Sequence, residues 1–383
     1  MIREDSPGTG GAHVISRTSF VPPARPEIAD PGLQRPDWTR PGGRDSRLLW
    51  LDLNENTDPI LAAITTRVLA EIDPRSVAIY PDCAPLYAKL TEYLGVSPSS
   101  LILAPGSDGV IGSVFRAFIA PGDRVLQTLP TYQMYEVYGQ MSGAERITVR
   151  YQAAEGGPFL SPDSIIGEIR GRRPKLICLP NPDSPTGTVF EPDALRAIIA
   201  TALDAGAVIL IDEAYHPFYS HTAIPLIAEY PNVIVVRTFS KAWGLTGVRL
   251  GYGVAAPEIA ALLHKVRPNY EVNQVAVAMA VRMLSDFESE MLASVRRLNA
   301  GREGFLSAMK QLGLRTLPSQ GSFAHVAFGR LSDAIHTALA DVALYRRDFN
   351  DPCLKGFSRF SSTTQEAFRP VIECVRRVVQ EKR

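Results

Sequence analysis

From Leu101 to Ala255 the chain repeats one pattern, a short apolar run followed by a longer amphipathic stretch. The runs are LILA, RVLQTL, RITVRY, KLICLP, AVILID, NVIVVRTF and RLGYGVA. Several are apolar at successive positions, not at alternate ones. A strand of that kind offers no face to water, so it belongs in a mostly parallel sheet covered by helices on both sides. The intervening segments 110–119, 192–204 and 256–266 carry helical periodicity and supply the crossovers. The expected class is α/β. In an open sheet of that class ligands bind just beyond the carboxyl ends of the strands, so the loops after each run are where chemistry is expected.

With 383 residues and 45% hydrophobic content, the chain can fill a sizeable core and has room for two domains. Residues 1–47 are rich in Pro, Gly and Arg and have almost no apolar periodicity, which reads as a flexible arm. Acidic residues among the arginines speak against a transit peptide. Residues 48–285 read as a large domain. From about residue 286 the stretch SEMLASVRRLNAGREGFLSAMKQL suggests a connecting helix, followed by two or three strands and a final helix near 363–381. Residues 286–383 thus read as a smaller C-terminal α/β domain, completed by the N-terminal segment of the large one.

Lys plus Arg and Asp plus Glu are both 40, so no global field recruits nucleic acid or a membrane surface, and any anion site is local. No apolar stretch approaches the roughly 20 residues that cross a bilayer, and the N-terminus lacks a signal-peptide core. Cys83, Cys178, Cys353 and Cys374 are widely spaced with no CxxC pattern, which argues against zinc and disulfides and for reduced thiols in a cytoplasmic protein.

The loop after NVIVVRTF carries the most chemistry. Thr238-Phe239-Ser240-Lys241 runs through Gly244 and Gly247 to Arg249 and Gly251, placing hydroxyls, an amine and a guanidinium among small residues that let backbone approach a ligand. A surface lysine after a serine is the bland explanation of the pair alone; the whole run suits a phosphate held beside a covalent lysine. A lysine captures a carbonyl cofactor as a Schiff base, and pyridoxal 5'-phosphate (PLP) supplies both aldehyde and phosphate. Thr238, Ser240 and Arg249 then hold the phosphate.

Other loops add to this one. AVILID ends on Asp212, a carboxylate that is costly to bury without a cation; a protonated pyridine ring is one, and capping the next helix is another use. Tyr215 lies three residues on and can reach a ring oxygen. After LILA, Pro105-Gly106-Ser107-Asp108-Gly109 opens a helix whose free N–H groups suit a phosphate, though the same residues serve as an ordinary N-cap. Tyr132 follows RVLQTL where its ring can stack on a flat cofactor or simply fill the core. Near the C-terminus Arg346, Arg347 and Arg359 sit on expected strands. Arg359 alternates with small and apolar neighbours, so it suits a carboxylate or phosphate, or an inter-domain salt bridge.

In this order, and over about residues 48–375, the chain resembles the fold type I PLP-dependent aminotransferases, most closely the histidinol-phosphate aminotransferase branch. The matching pieces are Asn54-Glu55-Asn56 with Pro59, Tyr80-Pro81, Gly106-Ser107-Asp108, Pro130-Thr131-Tyr132, Pro185-Thr186-Gly187, Asp212-Glu213-Ala214-Tyr215, the Ser240-Lys241 run and Arg359. The resemblance implies the PLP-dependent transferase fold. It also implies that Lys241 is the Schiff-base lysine, Asp212 pairs with the pyridine nitrogen and Tyr215 bonds the ring oxygen. Gly106, Ser107, Asp108, Thr238, Ser240 and Arg249 lie around the phosphate, and Tyr132 stacks on the ring. Tyr80 reaches the phosphate of a neighbouring subunit's cofactor, which implies a homodimer. Arg347 and Arg359, with Asn56 in the N-terminal segment, face the substrate. The implied partners are an amino donor and a 2-oxo acid.

The chain departs from the family pattern at Ser184 and Ser322, where the family usually has asparagines. A serine at 184 is a shorter partner for the ring oxygen, leaving Tyr215 to carry more of that contact or Asn181 or Asp183 to compensate. The N-terminal segment Asn56-Thr57-Asp58 lacks a tyrosine common there, and Arg347 lies one residue closer to Arg359 than the family spacing. Transamination is the leading expectation. Decarboxylation, elimination or cyclisation on the same cofactor is the alternative. A PLP-sensing regulator would need a DNA-binding domain, which a Pro/Gly-rich arm without helical periodicity does not supply.

Overall fold

A computed structural model describes residues 23–36 and 43–382. Much of the arm expected over 1–47 lies outside those residues. The described part of it includes a short helix, Pro26–Ala29, and Arg25 just before it donates to the carbonyl of Met141 at 3.2 Å.

The apolar runs form one seven-stranded sheet, in the order Leu101–Ala104, Gly251–Ala255, Val233–Thr238, Val208–Asp212, Leu176–Pro180, Arg124–Leu129 and Glu145–Arg150. Only Gly251–Ala255 runs antiparallel to its neighbours. Helices Gly106–Phe118, Pro192–Asp204 and Pro257–Val266 fall in the expected crossovers. Successive side chains of Leu176–Pro180 enter opposite cores: Leu176 and Cys178 pack with Val110, Leu210 and Ile234, while Ile177 and Leu179 pack with Ile198, Ile209 and Val235. Burial on both faces is what selects a covered sheet, each such side chain contributing about 1.5–3 kcal/mol.

The C-terminal part is smaller. Arg315–Leu317, Phe323–Ala327 and Phe357–Ser361 form an antiparallel sheet, and Ala343–Tyr345 pairs in parallel with the N-terminal strand Leu49–Leu51. Helices Glu288–Gln311 and Gln365–Glu381 cover it, with Phe305 stacked on Phe368 at 4.4 Å between centroids. The pairing of Leu49–Leu51 has a direct effect on the site. It threads residues 52–58 between the C-terminal sheet and the loops at the carboxyl ends of the central strands.

Candidate active site

At those carboxyl ends a chain of contacts closes on itself. Asp212 ends its strand buried, its Oδ2 accepting from the Tyr135 hydroxyl at 2.8 Å and its Oδ1 from the Ala214 amide at 2.9 Å. Both donors are neutral. Burial therefore pushes its carboxyl up to about 6, against the pull of those two hydrogen bonds. Tyr132 meets Tyr135 edge to face at 5.7 Å, and its hydroxyl donates to Asp108 at 3.3 Å. Tyr138 donates to the other oxygen of Asp108 at 3.0 Å.

Asp108 and Ser107 lie in the first turn of helix Gly106–Phe118, which has no side-chain N-cap, so its first amides are left for an anion. Gly106 has φ +80°, and a Cβ there would fall 2.7 Å from Nη2 of Arg249. Arg249 donates to Ser240 Oγ at 3.1 Å, and Thr238 Oγ1 donates to the same hydroxyl at 3.0 Å. Gly251 closes the cradle from the neighbouring strand, where an added Cβ would sit 2.3 Å from the Ser107 nitrogen. Two hydroxyls, a guanidinium and a helix N-terminus thus surround a place where backbone has no side chain to spare.

Lys241 follows directly. Its Nζ lies 6.0 Å from the centre of the Tyr215 ring and donates to the carbonyl of Leu53 at 2.8 Å. Burial, with Arg359 and Arg249 adding to it, pulls the amine down to about 8. Tyr215 is buried and packs edge to face on Phe323 at 5.4 Å; its hydroxyl accepts from Asn54 Nδ2 at 2.9 Å and lies near Ser184. Arg359 is 7% exposed. Its Nη2 donates to the carbonyl of Asp52 at 3.2 Å, its guanidinium lies 5.3 Å from the centre of the Phe323 ring, and its Nε is buried without a partner among the described residues. Burial lowers its pKa to about 10.

The model of the aminotransferase class I and II family matches residues 46–375. The chain belongs to this family. It is an aminotransferase, and its cofactor is PLP. It is similar to histidinol-phosphate aminotransferase from Thermoanaerobacter pseudethanolicus, 32% identical over 321 residues, or 83% of this chain and 89% of that one. Histidinol-phosphate aminotransferase 2 from Ralstonia nicotianae is 36% identical over 309 residues, 79% of each chain. The fold is shared with histidinol-phosphate aminotransferase from Sinorhizobium meliloti, solved in complex with PLP, at 24% identity and a TM-score of 0.74 over 88% of this chain and 92% of that one.

The residues of this aminotransferase fit the cofactor. The cradle of Gly106, Ser107, Thr238, Ser240, Arg249 and Gly251 has the donors and the space a phosphate needs. Asp212, a buried carboxylate with neutral partners only, suits a pyridinium nitrogen.

Two residues expected to face the substrate have other partners here. Arg347 donates to the carbonyl of His336 at 3.4 Å and rests on the Tyr345 ring, because adjacent residues of a strand point to opposite sides. Its neighbour Arg346 instead forms an antiparallel bridge with Arg359, at 3.0 and 2.8 Å, and lies 4.7 Å from the centre of the Phe349 ring. The sequence reading took Arg347, one residue closer to Arg359 than the family spacing; Arg346 has that spacing. Asn56 spends its amide on the carbonyl of Ala242 and on Ser294, both at 3.0 Å, and its Oδ1 on the Asp58 amide. It ties the N-terminal segment to the Lys241 loop. Tyr80 is 76% exposed and stacks on Tyr270 at 4.3 Å, outside the cluster of this one chain.

The suggested compensation for Ser184 also falls differently. Asn181 Oδ1 accepts from the Phe190 amide, and Asp183 Oδ1 accepts from the amide and hydroxyl of Thr186. Both oxygens thus serve the local turn, while Asp183 Oδ2 is buried without a partner among the described residues. Asn54, Tyr135, Gly251 and Arg346 join the cluster although the motifs gave them no role in it. Asn54 and Gly251 do lie within the matching motifs, and Arg346 has a signal in its spacing to Arg359.

Proposed function

We propose that this aminotransferase moves an amino group between an anionic amino substrate, an amino acid or a histidinol-phosphate-like amine, and a 2-oxo acid, with Lys241 as its covalent and proton-moving residue. The observation that carries the substrate class is Arg359. A guanidinium that far from water, with Nε unpartnered and an aromatic ring beside it, suits a fork for a carboxylate or phosphate. Arg346, bridged to it, adds a second positive charge. The names of the relatives support a phosphorylated amine as one such substrate.

Bound in the cradle, PLP supplies an aldehyde for the amino group and a ring that withdraws electrons. The chain's own residues do the rest. Asp212 holds a proton at the ring nitrogen, and Tyr215 offers its hydroxyl to the ring oxygen. Ser107, Thr238, Ser240 and Arg249 bind the phosphate, with Gly106 and Asp108 shaping the turn and Tyr132 lying against the ring. Lys241, its amine pulled down to about 8, would take the proton from the substrate Cα and deliver it to the carbon that was the cofactor's aldehyde.

The reading includes a large cofactor-binding domain over 48–285, a small domain over 286–383, and a homodimer in which Tyr80 reaches the partner's cofactor phosphate. Val77, Ile79 and Tyr80, all well exposed apolar side chains on one short segment, support the dimer. Four free cysteines support a cytoplasmic location. Among the described residues no helix is long and apolar enough to cross a membrane.

A screen of amino donors on the purified holoenzyme tests the function. Full conversion of the bound cofactor to its amine form by an anionic donor, reversed by a 2-oxo acid, is the expected result. Release of carbon dioxide with the cofactor still in its aldehyde form would replace transamination by decarboxylation.

A further inference from the structure

Three consecutive residues of the N-terminal segment each touch a different site residue. The carbonyl of Asp52 accepts from Arg359, the carbonyl of Leu53 from Lys241, and the side chain of Asn54 donates to Tyr215. Asn54 is 3% exposed and holds φ +56°, a left-handed conformation that asparagine tolerates better than most residues.

The direction of the Asn54 amide is fixed by Ser361. Asn54 N donates to Ser361 Oγ at 2.8 Å, so the serine's own hydrogen is free for Asn54 Oδ1, 3.5 Å away. That leaves Nδ2, not Oδ1, facing the Tyr215 hydroxyl. A phenolic hydroxyl has one hydrogen to give. With Asn54 occupying an acceptor site on its oxygen, that hydrogen points away from Asn54. Ser184, a short side chain, lies near the same hydroxyl.

We propose that Asn54 is a positioning residue for Tyr215: by donating to the phenolic oxygen it aims the phenolic hydrogen at the ring oxygen of the cofactor, in support of a contact that Ser184 alone makes only weakly. Ser361 acts one step further back, by orienting the Asn54 amide. The inference rests on the reading that Lys241 carries the cofactor and Tyr215 meets its ring oxygen. A donor aimed at that oxygen favours its anionic form, which lowers the pH at which the visible absorbance of the bound cofactor changes.

The test is a pH titration of the visible absorbance of the holoenzyme, which reads the cofactor without turnover. Asn54→Gly keeps the left-handed backbone and removes only the amide; its midpoint should rise by about half a pH unit or more. Tyr215→Phe should raise it further, and adding Asn54→Gly to Tyr215→Phe should raise it no more, because Asn54 acts through Tyr215. Ser361→Ala should shift it in the same direction as Asn54→Gly, by less. If the glycine variant does not hold cofactor, Asn54→Asp keeps the backbone and exchanges donor for acceptor, and a rise is expected there too. An unmoved midpoint in the Asn54 variant, with Tyr215→Phe raised, would overturn the proposal and leave the Tyr215 assignment standing. Equal shifts with and without Tyr215 would also overturn it. No shift in Tyr215→Phe itself would remove both readings.

Discussion

Lys241 and Leu53, 188 positions apart in the chain, are joined by a hydrogen bond of 2.8 Å from the lysine amine to the backbone carbonyl. Leu53 continues a strand that pairs with Ala343–Tyr345 of the C-terminal part, whereas Lys241 follows a central strand of the large sheet. The amine is therefore held across the seam between the two sheets, and its protonation responds to charges from both. Arg359 on one side and Arg249 on the other lower its pKa, and burial lowers it more.

With Lys241 as the proposed covalent residue, that environment sets how the protein recaptures its cofactor. Only the neutral amine attacks a carbonyl, so recombination of PLP with the apoprotein should speed up about tenfold per pH unit below pH 8 and level off above it. Arg359→Gln removes a cation that disfavours the charged amine, so the plateau should move to higher pH. Stopped-flow absorbance of the apoprotein mixed with PLP reads both. A plateau for the wild type near the ordinary lysine value of 10.5 would contradict the account.

Gly251 lets two strand ends approach the phosphate turn. A methyl group there would fall 2.3 Å from both the Gly106 carbonyl carbon and the Ser107 nitrogen, and 2.8 Å from the Arg237 carbonyl. All three are backbone and cannot swing aside. Gly251→Ala should weaken PLP binding at least tenfold, about 1.4 kcal/mol, and lower thermal stability, read by equilibrium dialysis and calorimetry.

The arginines separate by neighbourhood. Arg359→Lys loses the planar fork and should cost about 2–3 kcal/mol in kcat/KM for an anionic donor, mostly through KM. Arg346→Ala should raise KM by a smaller factor. Arg347→Ala, whose guanidinium rests on Tyr345, should leave both constants within about twofold. A large KM effect at Arg347 would reverse the assignment.

Asp183 makes stability depend on pH. It is fully buried, and burial lifts its carboxyl from 3.8 to about 7 in spite of hydrogen bonds from Thr186. The folded state thus binds this proton more tightly than the unfolded chain. The contribution is complete below pH 4 and is lost, at up to about 1.4 kcal/mol per pH unit, as pH rises through 7. Asp183→Asn keeps the shape and removes the titration. Denaturant unfolding at pH 5 and pH 8 should show the variant gaining on the wild type at the higher pH.

Much of the fold and part of the site could be read from the chain. Strands such as KLICLP declare themselves because both of their faces are buried, and Asp212, Lys241 and the Gly106 turn follow strand ends where an open α/β sheet puts its ligands. What stayed hidden depends on register and distance. Gly251 matters only because it pairs opposite Ala104, beside the phosphate turn. Asn54 meets Tyr215 across 161 residues, and no local pattern announces a contact of that span. Arg346 and Arg347 are adjacent, and which of them joins Arg359 is decided by strand pairing, although the spacing already favoured Arg346.

The proposed covalent attachment of PLP to Lys241 can be trapped chemically. Reduction of the holoenzyme with borohydride, followed by proteolysis and mass spectrometry of the peptides, tests it without turnover. A single pyridoxyl-phosphate adduct on Lys241, absent from the Lys241→Ala protein, is the expected result. An adduct on Lys89, Lys265 or any other lysine of the native enzyme, with Lys241 unmodified, would contradict it.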